Sequence, residues 1–387
     1  MKESVLCFCL LLAGWSCNFK KIDVPQAQMY ARVVEFGDQH SYFPKSIICT
    51  ADGGSVISGF SESNNRRQAF LVRLNDNGDV IWPVQNLGSL KTEGRSAVAT
   101  SDGGFLLCGY TILETAGSET QLWLAKFDAD GNATQRSFGV WGRTETPFGI
   151  VPASGGNFII GFTASGAGTN AIRYLLINSN GDSLQDRQVN STKPFPPLSM
   201  INTADGNVAL TGFDIQSNKT MLLITGENGQ VLYSLSNFSG GLVGQALAEL
   251  PDEGLALAGY TFEHGGDFYL NAVDKNGISR WTIPPQFSTG PYDDELWTLH
   301  PTHDGQLLVL GYSVGNSGVP ELYWSKRSSA DGNLLGQDRR FSPSKRLSVI
   351  GGDFALCADD GFAICAGLEN SPGTLLILKT DPDGNYQ

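Results

Sequence analysis

A seven-fold internal repeat constrains this chain of 387 residues more than any other feature. A short apolar run ending in glycine recurs seven times, and in six copies Phe or Tyr follows the glycine. Each run comes just after a tight turn, which is Asp-Gly in five of the seven copies. A second turn, Asn-Gly or Asp-Gly, comes later in every unit. The repeated glycines, 47 to 56 residues apart, are Gly59, Gly109, Gly161, Gly212, Gly259, Gly311 and Gly367.

Two turns in about 50 residues delimit four short strands, here called A, B, C and D. Asp-Gly and Asn-Gly are preferred hairpin turns because glycine and asparagine tolerate positive φ. The B and C strands are apolar at nearly every position, which is typical of a sheet covered on both faces. Such sheets must pack against one another, and a closed ring leaves few exposed edges. The sequence therefore predicts an all-β fold, a seven-bladed β-propeller of four-stranded antiparallel blades.

The two ends of the repeat region predict how the ring closes. Residues 383–387 stop where the D strand of the last blade should begin. Residues 30–37, ahead of the first blade, are similar to the D strands of other blades, such as Val80-Ile81-Trp82. We therefore expect residues 30–37 to form the outer strand of the last blade. Residues 30–387 are predicted to be a single propeller domain.

The first residues are interpreted as a targeting signal. Lys2 precedes an apolar run of 11 residues, Val5–Trp15, which has the length of a secretory signal and is too short to span a bilayer. The run leads to Ser16-Cys17, which resembles the lipobox of bacterial lipoproteins. That resemblance implies a signal peptide at 1–16, lipid on Cys17 and a tether at 17–29, in the outer membrane of a Gram-negative envelope. Ordinary signal cleavage near the same point is the alternative, and which side of that membrane the protein faces stays open.

Four cysteines remain beyond the signal and Cys17. Cys49, Cys108, Cys357 and Cys365 all lie inside apolar runs. One interpretation is that they are small buried apolar side chains. The other is a cross-strand disulfide between Cys357 and Cys365, which an oxidising envelope would allow.

The blade motif carries a resemblance to known propellers. The segment from Asp274 through Gly277 to Trp281 is similar to the repeat of quinoprotein-dehydrogenase-like propellers. The segment from Asp102 to Thr111 resembles the Asp-Gly-Gly and Gly-Tyr-Thr repeats of envelope lipoproteins. These resemblances imply the propeller fold. The dehydrogenases hold a quinone at a calcium-bound, cysteine-flanked centre, and the sequence has no counterpart, so no cofactor is expected.

Charge and motif content narrow the function. The formal charge is −13, and nucleic acid binding needs clustered Lys and Arg, so nucleic acid is not an expected partner. No nucleophile, zinc or phosphate-binding motif occurs. His300 and His303 are interpreted as structural, because i and i+3 point to opposite faces of a strand. Acidic pairs such as Asp128 and Asp130 are interpreted as side chains that bond the turn backbone, so no metal is expected.

Topology predicts where binding occurs. The A–B and C–D hairpin turns share one side of the disc, here called the short-turn face. The longer B–C and D–A connections share the other side, the long-loop face, and they carry the Trp, Tyr and Arg residues that anchor interfaces. For Phe148 and Trp297, filling gaps between blades is an equal alternative. The candidate residues are Arg66, Arg67, Trp141, Arg143, Phe148, Phe195, His264, Tyr292, Asp293, Asp294 and Trp297.

Three functions are compatible with this pattern. The favoured one is a non-enzymatic outer-membrane scaffold that binds an envelope protein through the long-loop face, by analogy with the propeller lipoprotein of the outer-membrane β-barrel assembly machinery. The second is a lipoprotein that binds cell-surface glycans with its loop aromatics. The third is an enzyme whose carboxylates, Asp293, Asp294 and Glu295, converge in the funnel.

Overall fold

The computed structural model describes residues 29–88, 91–113, 119–139, 142–166, 169–191, 195–239, 242–261, 267–283, 294–314 and 318–386. These residues form seven four-stranded antiparallel sheets and one short 3-10 turn, Ser154–Gly156. The predicted seven-bladed β-propeller is confirmed. Among the described residues, no helix is long and apolar enough to cross a membrane.

The strands follow the chain in blade order after the first one, β1 (Tyr30–Glu35). Blade 1 contains β2 (Ser41–Cys49), β3 (Ser55–Ser63), β4 (Arg66–Leu74) and β5 (Val80–Leu87). Blade 2 contains β6 (Thr92–Ala99), β7 (Phe105–Ile112), β8 (Thr120–Phe127) and β9 (Ala133–Phe138). Blade 3 contains β10 (Thr144–Ala153), β11 (Asn157–Gly166), β12 (Thr169–Ile177) and β13 (Ser183–Gln188). Blade 4 contains β14 (Pro197–Asn202), β15 (Val208–Asp214), β16 (Lys219–Thr225) and β17 (Val231–Ser239).

Blade 5 contains β18 (Leu242–Glu249), β19 (Leu255–Thr261), β20 (Phe268–Val273) and β21 (Ser279–Ile283). Blade 6 contains β22 (Glu295–Pro301), β23 (Leu307–Val314), β24 (Pro320–Arg327) and the short β25 (Arg339–Phe341). Blade 7 contains β26 (Leu347–Leu356), β27 (Phe362–Leu368) and β28 (Thr374–Lys379), and its fourth strand is β1. The B and C strands supply a core that lies between blades, as where Leu106 and Leu122 pack with Ile160 and Leu175.

The ring closes through the N-terminal strand, as predicted. Strand β1 pairs antiparallel with β28, in a register that runs from Tyr30 opposite Lys379 to Glu35 opposite Thr374. Strand β28 is buried along its whole length, so without β1 its outer edge would be left unpaired. The strand ends at Glu35, two residues short of the expected 30–37.

A disulfide also joins the first and last blades, and it corrects the predicted pairing. Cys49 at the end of β2 is bonded to Cys357, with 5.2 Å between their Cα atoms. Cys365 keeps a buried thiol, as does Cys108. The interpretation of the cysteines as small buried side chains is confirmed for Cys108 and Cys365 and wrong for the bonded pair. The alternative bond between Cys357 and Cys365 is wrong because Asp353, not Cys357, lies opposite Cys365 in the β26–β27 register. The nearest partner of Cys357 comes from the neighbouring blade, 308 residues away in sequence.

The first residue of the C–D turn stabilises the turn with its side chain. The Asp128 carboxylate accepts hydrogen bonds from the backbone N–H groups of Asp130 and Asn132, at 3.0 and 2.8 Å. This confirms the structural interpretation of that acidic pair. The same pair of hydrogen bonds, from the backbone N–H groups of the second and fourth following residues, occurs at four other C–D turns. These turns begin with Asn75, Asn178, Asp274 and Asp381.

The aromatic residue of the blade motif fixes the spacing between blades. Trp82 on the D strand of blade 1 lies against Gly131 in the C–D turn of blade 2. Trp281 of blade 5 lies in the same way against Gly332 of blade 6, and its indole N–H donates to the Ser329 carbonyl at 3.1 Å. Glycine is needed at this turn for two reasons, its positive φ and the ring above it.

We expect Gly131→Ala to lower the free energy of unfolding by about 3 kcal/mol, because it combines left-handed strain with a clash against Trp82. A Cβ on Gly131 would lie 2.8 Å from the Trp82 ring. Gly206→Ala is the matched control, since Gly206 has a similar φ of +80° and nothing within 4 Å of its Cβ position. Its loss should be about 1 kcal/mol. Urea unfolding measures both, and equal losses would refute the packing role of Trp82.

Candidate binding site at the mouth of the central channel

A cavity of about 830 Å³ lies on the axis of the ring. The A strands of all seven blades contribute residues to its wall. Each A strand is the end strand of its sheet, so no further strand covers the edge that faces the axis. The channel is therefore a place where side chains and backbone groups from seven blades converge.

Every A strand carries a register shift in its pairing with the B strand. A β-bulge of this kind leaves one extra residue out of the ladder and re-aims its side chain. In six blades the extra residue lies at or before the middle of the A strand, towards the long-loop face. In blade 7 the shift is longer and spans Leu347 to Gly352. The bulged residues, all of which line the cavity, are Lys45, Arg95, Phe148, Leu198, Gln245 and Trp297; we call them the bulge ring.

The bulge ring is chemically irregular although the scaffold around it repeats. The B strands keep glycine at the equivalent position of all seven blades. The ring, in contrast, has two cations, two aromatic residues, one aliphatic residue and one amide. The cations are neighbours on blades 1 and 2, and Phe148 and Leu198 are neighbours on blades 3 and 4. One side of the channel mouth is therefore basic and the next is apolar.

Arg95 and Lys45 form the basic side. The Arg95 guanidinium lies 3.4 Å from the buried carboxylate of Glu93 and 5.3 Å from the centre of the Tyr110 ring. Glu93 also binds Arg67, whose side chain reaches over from blade 1. Burial, together with the nearby charge of Arg95, lowers the pKa of Lys45 to about 8, against the opposing attraction of Glu93 and Glu295. Lys45 is still mostly protonated at neutral pH.

The two aromatic residues of the ring both fill gaps and face the channel. The Phe148 ring lies over Gly161, where a Cβ would clash with it. The Trp297 ring lies over Gly352 of blade 7, with its centroid 5.5 Å from that of Tyr312. Both side chains are only partly buried. The gap-filling interpretation therefore describes both residues, and their role in binding stays a prediction.

The carboxyl group of Asp353 lies deeper in the channel than the bulge ring. It accepts a hydrogen bond from the backbone N–H of Ile47 in the next blade, at 3.0 Å. Burial raises the pKa of Asp353 to about 7. His300 lines the same cavity, and burial lowers its pKa to about 4. The channel floor thus holds two titratable groups that favour their neutral forms.

The raised pKa of Asp353 makes stability depend on pH. Between about pH 4 and 7 the native chain keeps a proton that the unfolded chain has released, so the free energy of unfolding contributed by Asp353 falls as pH rises. We expect Asp353→Asn to remove this slope, so that its stability relative to the parent protein rises by up to about 4 kcal/mol between pH 4 and pH 8. The measurement is urea unfolding of both proteins at the two pH values. If the difference in stability between the parent and Asp353→Asn proteins is the same at both pH values, Asp353 is not the group that causes the slope.

The structure separates the residues predicted from sequence into four groups, the first being Phe148 and Trp297 on the channel wall. Arg66 and Arg67 are exposed on the long-loop face at the start of β4, and Arg143 is partly exposed just before β10. Phe195 and Asp294 are buried, with 3% and 1% of their surface exposed, and belong to the scaffold. The Asp294 carboxylate accepts the N–H of Val314 at 2.8 Å. Residues outside the described part are Cys17, Trp141, His264, Tyr292 and Asp293.

Sequence reasoning missed the most central residues of this site, Lys45, Arg95, Leu198, Gln245 and Asp353. The signal that could have found them is one extra residue per A strand relative to strict alternation. The predicted histidines are structural: His300 packs edge-on against Phe354, and His303 on a turn contacts Asp360. Among the described residues, no three His, Cys, Asp or Glu side chains are grouped as a metal site would require.

Comparison with known proteins shows the fold. No protein-family model matches the chain, and no curated protein matches it. Among solved structures, it is similar to Chaetomium thermophilum Sqt1 bound to the N-terminus of the ribosomal protein L10, with 11% identity, a TM-score of 0.52, and coverage of 91% of this chain and 99% of that one. It is also similar to the polysaccharide lyase Uly1 (10% identity, TM-score 0.56, 92% and 100% coverage). An ulvan lyase bound to -[GlcA(1-4)Rha3S]- gives 10% identity, a TM-score of 0.57, and 91% and 97% coverage.

Proposed function

We propose that this protein is a non-enzymatic binding propeller that docks a protein partner on its long-loop face, over the mouth of the central channel. The observation that carries the proposal is the bulge ring. Seven blades built on one repeat place six residues of differing chemistry at equivalent positions around one opening. A ring that served packing alone would repeat its residues, as the B-strand glycines do, whereas a recognition surface needs an asymmetric pattern.

The location we propose is the cell envelope, with the chain anchored to the outer membrane through lipid on Cys17. Two observations support an extracytoplasmic location. The first residues have the pattern of a secretory signal that ends at a cysteine. The disulfide between Cys49 and Cys357 is a bond that persists in oxidising compartments and is rare in the cytosol.

The solved relatives supply the two partner classes to weigh. The Sqt1 structure has a protein N-terminus bound, and the ulvan lyase structure has a glycan fragment bound. Glycan binding is the second candidate here, since Trp297 and Phe148 both line the channel. The protein partner is favoured because both rings are partly covered by packing within the propeller, Phe148 over Gly161 and Trp297 over Gly352 of the next blade. A sugar platform presents an open aromatic face. The enzyme hypothesis is not favoured, because the carboxylate of its candidate Asp294 accepts a hydrogen bond from the Val314 backbone.

Site-specific photo-crosslinking in the producing cell tests this proposal. Arg66, exposed on the long-loop face, is replaced by p-benzoylphenylalanine, and Lys275, exposed on the short-turn face, is the matched control position. We expect a discrete protein adduct from position 66 and none from position 275. The adduct should be lost when Trp297→Ala is added. Adducts from position 275, or none from position 66, would refute the proposal.

A further inference from the structure

The basic side of the bulge ring stands out in a chain with a formal charge of −13. Elsewhere, Lys and Arg side chains on the C strands pair with the aspartate of the A–B turn, as Lys126 does with Asp102 at 2.8 Å. Lys45 and Arg95 lie at a different place in the blade, on neighbouring bulges that face the channel. The carboxylates of Glu93 and Glu295 offset part of the repulsion between these two cations, and a further anion at the channel mouth would offset more of it.

Arg95 has donor capacity that the protein does not use. Its Nη2 lies 3.4 Å from the Glu93 carboxylate and 3.4 Å from the Tyr110 hydroxyl, to which it donates a long hydrogen bond. A bidentate pair, in contrast, brings two nitrogens to about 2.8 Å from the carboxylate oxygens. Its Nε is buried without a hydrogen-bond partner among the described residues. The indole nitrogen of Trp297, across the same cavity, has no partner in this part of the chain either. A ligand can therefore accept from the Arg95 Nε or the Trp297 indole nitrogen, and rotation of Arg95 towards it breaks only the long Nη2 bond to Tyr110.

The apolar side of the mouth adjoins the basic side. Phe148 follows Arg95 in the order of the ring, and Leu198 comes next with 47% of its surface exposed. An exposed leucine at the rim of a cavity suits an apolar side chain better than a sugar ring. In an extended peptide, side chains on the same face repeat every two residues, about 7 Å apart. A peptide can thus present a carboxylate to one blade and an apolar group to the next.

Resting on the proposed function, we propose that the channel mouth receives an acidic segment of the partner protein. A side-chain carboxylate of that segment lies against Lys45 and Arg95, and a neighbouring apolar side chain packs on Phe148 and Leu198. Glu93 keeps its place behind Arg95 and holds the guanidinium in position. Specificity comes from the pairing of one negative charge with one apolar group, set by the order of the blades.

Fluorescence anisotropy with two synthetic peptide pools tests the inference on the mature chain. The first pool is a nonapeptide with Asp or Glu at its centre between Leu, Ile, Val or Phe; the second has Asn or Gln at the centre. We expect the acidic pool to bind at least about 10-fold more tightly than the amide pool. Lys45→Gln and Arg95→Gln should each weaken its binding by about 10- to 100-fold. Lys45→Arg should retain binding, and Lys275→Gln, on the short-turn face, should leave it unchanged.

Several results would overturn the inference. They are equal binding of the two pools, binding of neither, full binding by folded Arg95→Gln protein, or binding of oligogalacturonate in place of the peptides. Thermal unfolding of each variant checks that it is folded. The photo-crosslink from position 66 keeps the two proposals apart. If that adduct forms equally well in Arg95→Gln protein, the long-loop face is still the docking surface and the acidic segment is wrong.

Discussion

Val34→Asp is expected to lower the free energy of unfolding by about 3–5 kcal/mol, because it places a charge in the strand that closes the ring. Val34 has 7% of its surface exposed and packs in a core cluster with Tyr42 and Leu375. Glu35→Gln, at the exposed neighbouring position of β1, is the matched control and should change stability by less than about 0.5 kcal/mol. Equilibrium urea unfolding of the mature chain measures both.

The outcome of that pair of variants bears directly on ring closure. If residues 30–35 did not pair with β28, Val34 would be exposed and both substitutions would be nearly neutral. Equal, small effects would therefore contradict closure by the N-terminal strand. A large effect at Val34 alone agrees with the register in which Val34 lies opposite Leu375.

The double substitution Cys49→Ala with Cys357→Ala is expected to cost about 4–5 kcal/mol. The bond joins residues 308 positions apart, so its loss frees a very long loop in the unfolded chain. Cys108→Ala, which removes a buried unpaired thiol, is the control and should cost about 1 kcal/mol. Guanidinium unfolding of these variants and of the reduced parent gives the comparison. An unshifted unfolding midpoint for the double variant would contradict a stabilising role of the Cys49–Cys357 disulfide.

The two closures act on the same seam, between the beginning and the end of the chain. Strand β1 holds the last blade by hydrogen bonds, and the disulfide holds it to the first blade at the inner strand. Removing both should therefore lower the free energy of unfolding by more than the sum of the two separate effects. We expect Val34→Asp in the disulfide-free protein to be largely unfolded at 37 °C.

The fold could be predicted because the signals for it are local. An Asp-Gly turn such as Asp102-Gly103 needs no distant partner, and seven copies in phase specify the number of blades. The closing strand was predictable for the same reason, since residues 80–82 gave a template for it. The Cys49–Cys357 pair was not, because the two residues become neighbours only after the ring closes.

The site was much less predictable than the fold. A bulge is a mismatch between the registers of two strands, and it does not show in the composition of either one. From the sequence, nothing distinguishes Lys45 from the other residues of its strand, although its side chain faces the channel. Phe195, in contrast, looked like an exposed loop aromatic but is buried against Met200 and its neighbours in the blade 3–4 core. Exposure of loop residues depends on packing between blades, which the sequence pattern leaves open.

The partner identified by photo-crosslinking is purified and mixed with the unmodified protein. Hydrogen–deuterium exchange of this complex and of the free protein then tests most directly the claim that the partner binds at the channel mouth. Partner binding at the channel mouth should slow exchange in peptides that contain the bulges, such as residues 43–48, 93–98 and 295–300. Peptides of the short-turn face, such as residues 50–54 and 100–104, should exchange at the same rate in both states. Protection of the short-turn peptides, with the bulge peptides unchanged, would contradict the account.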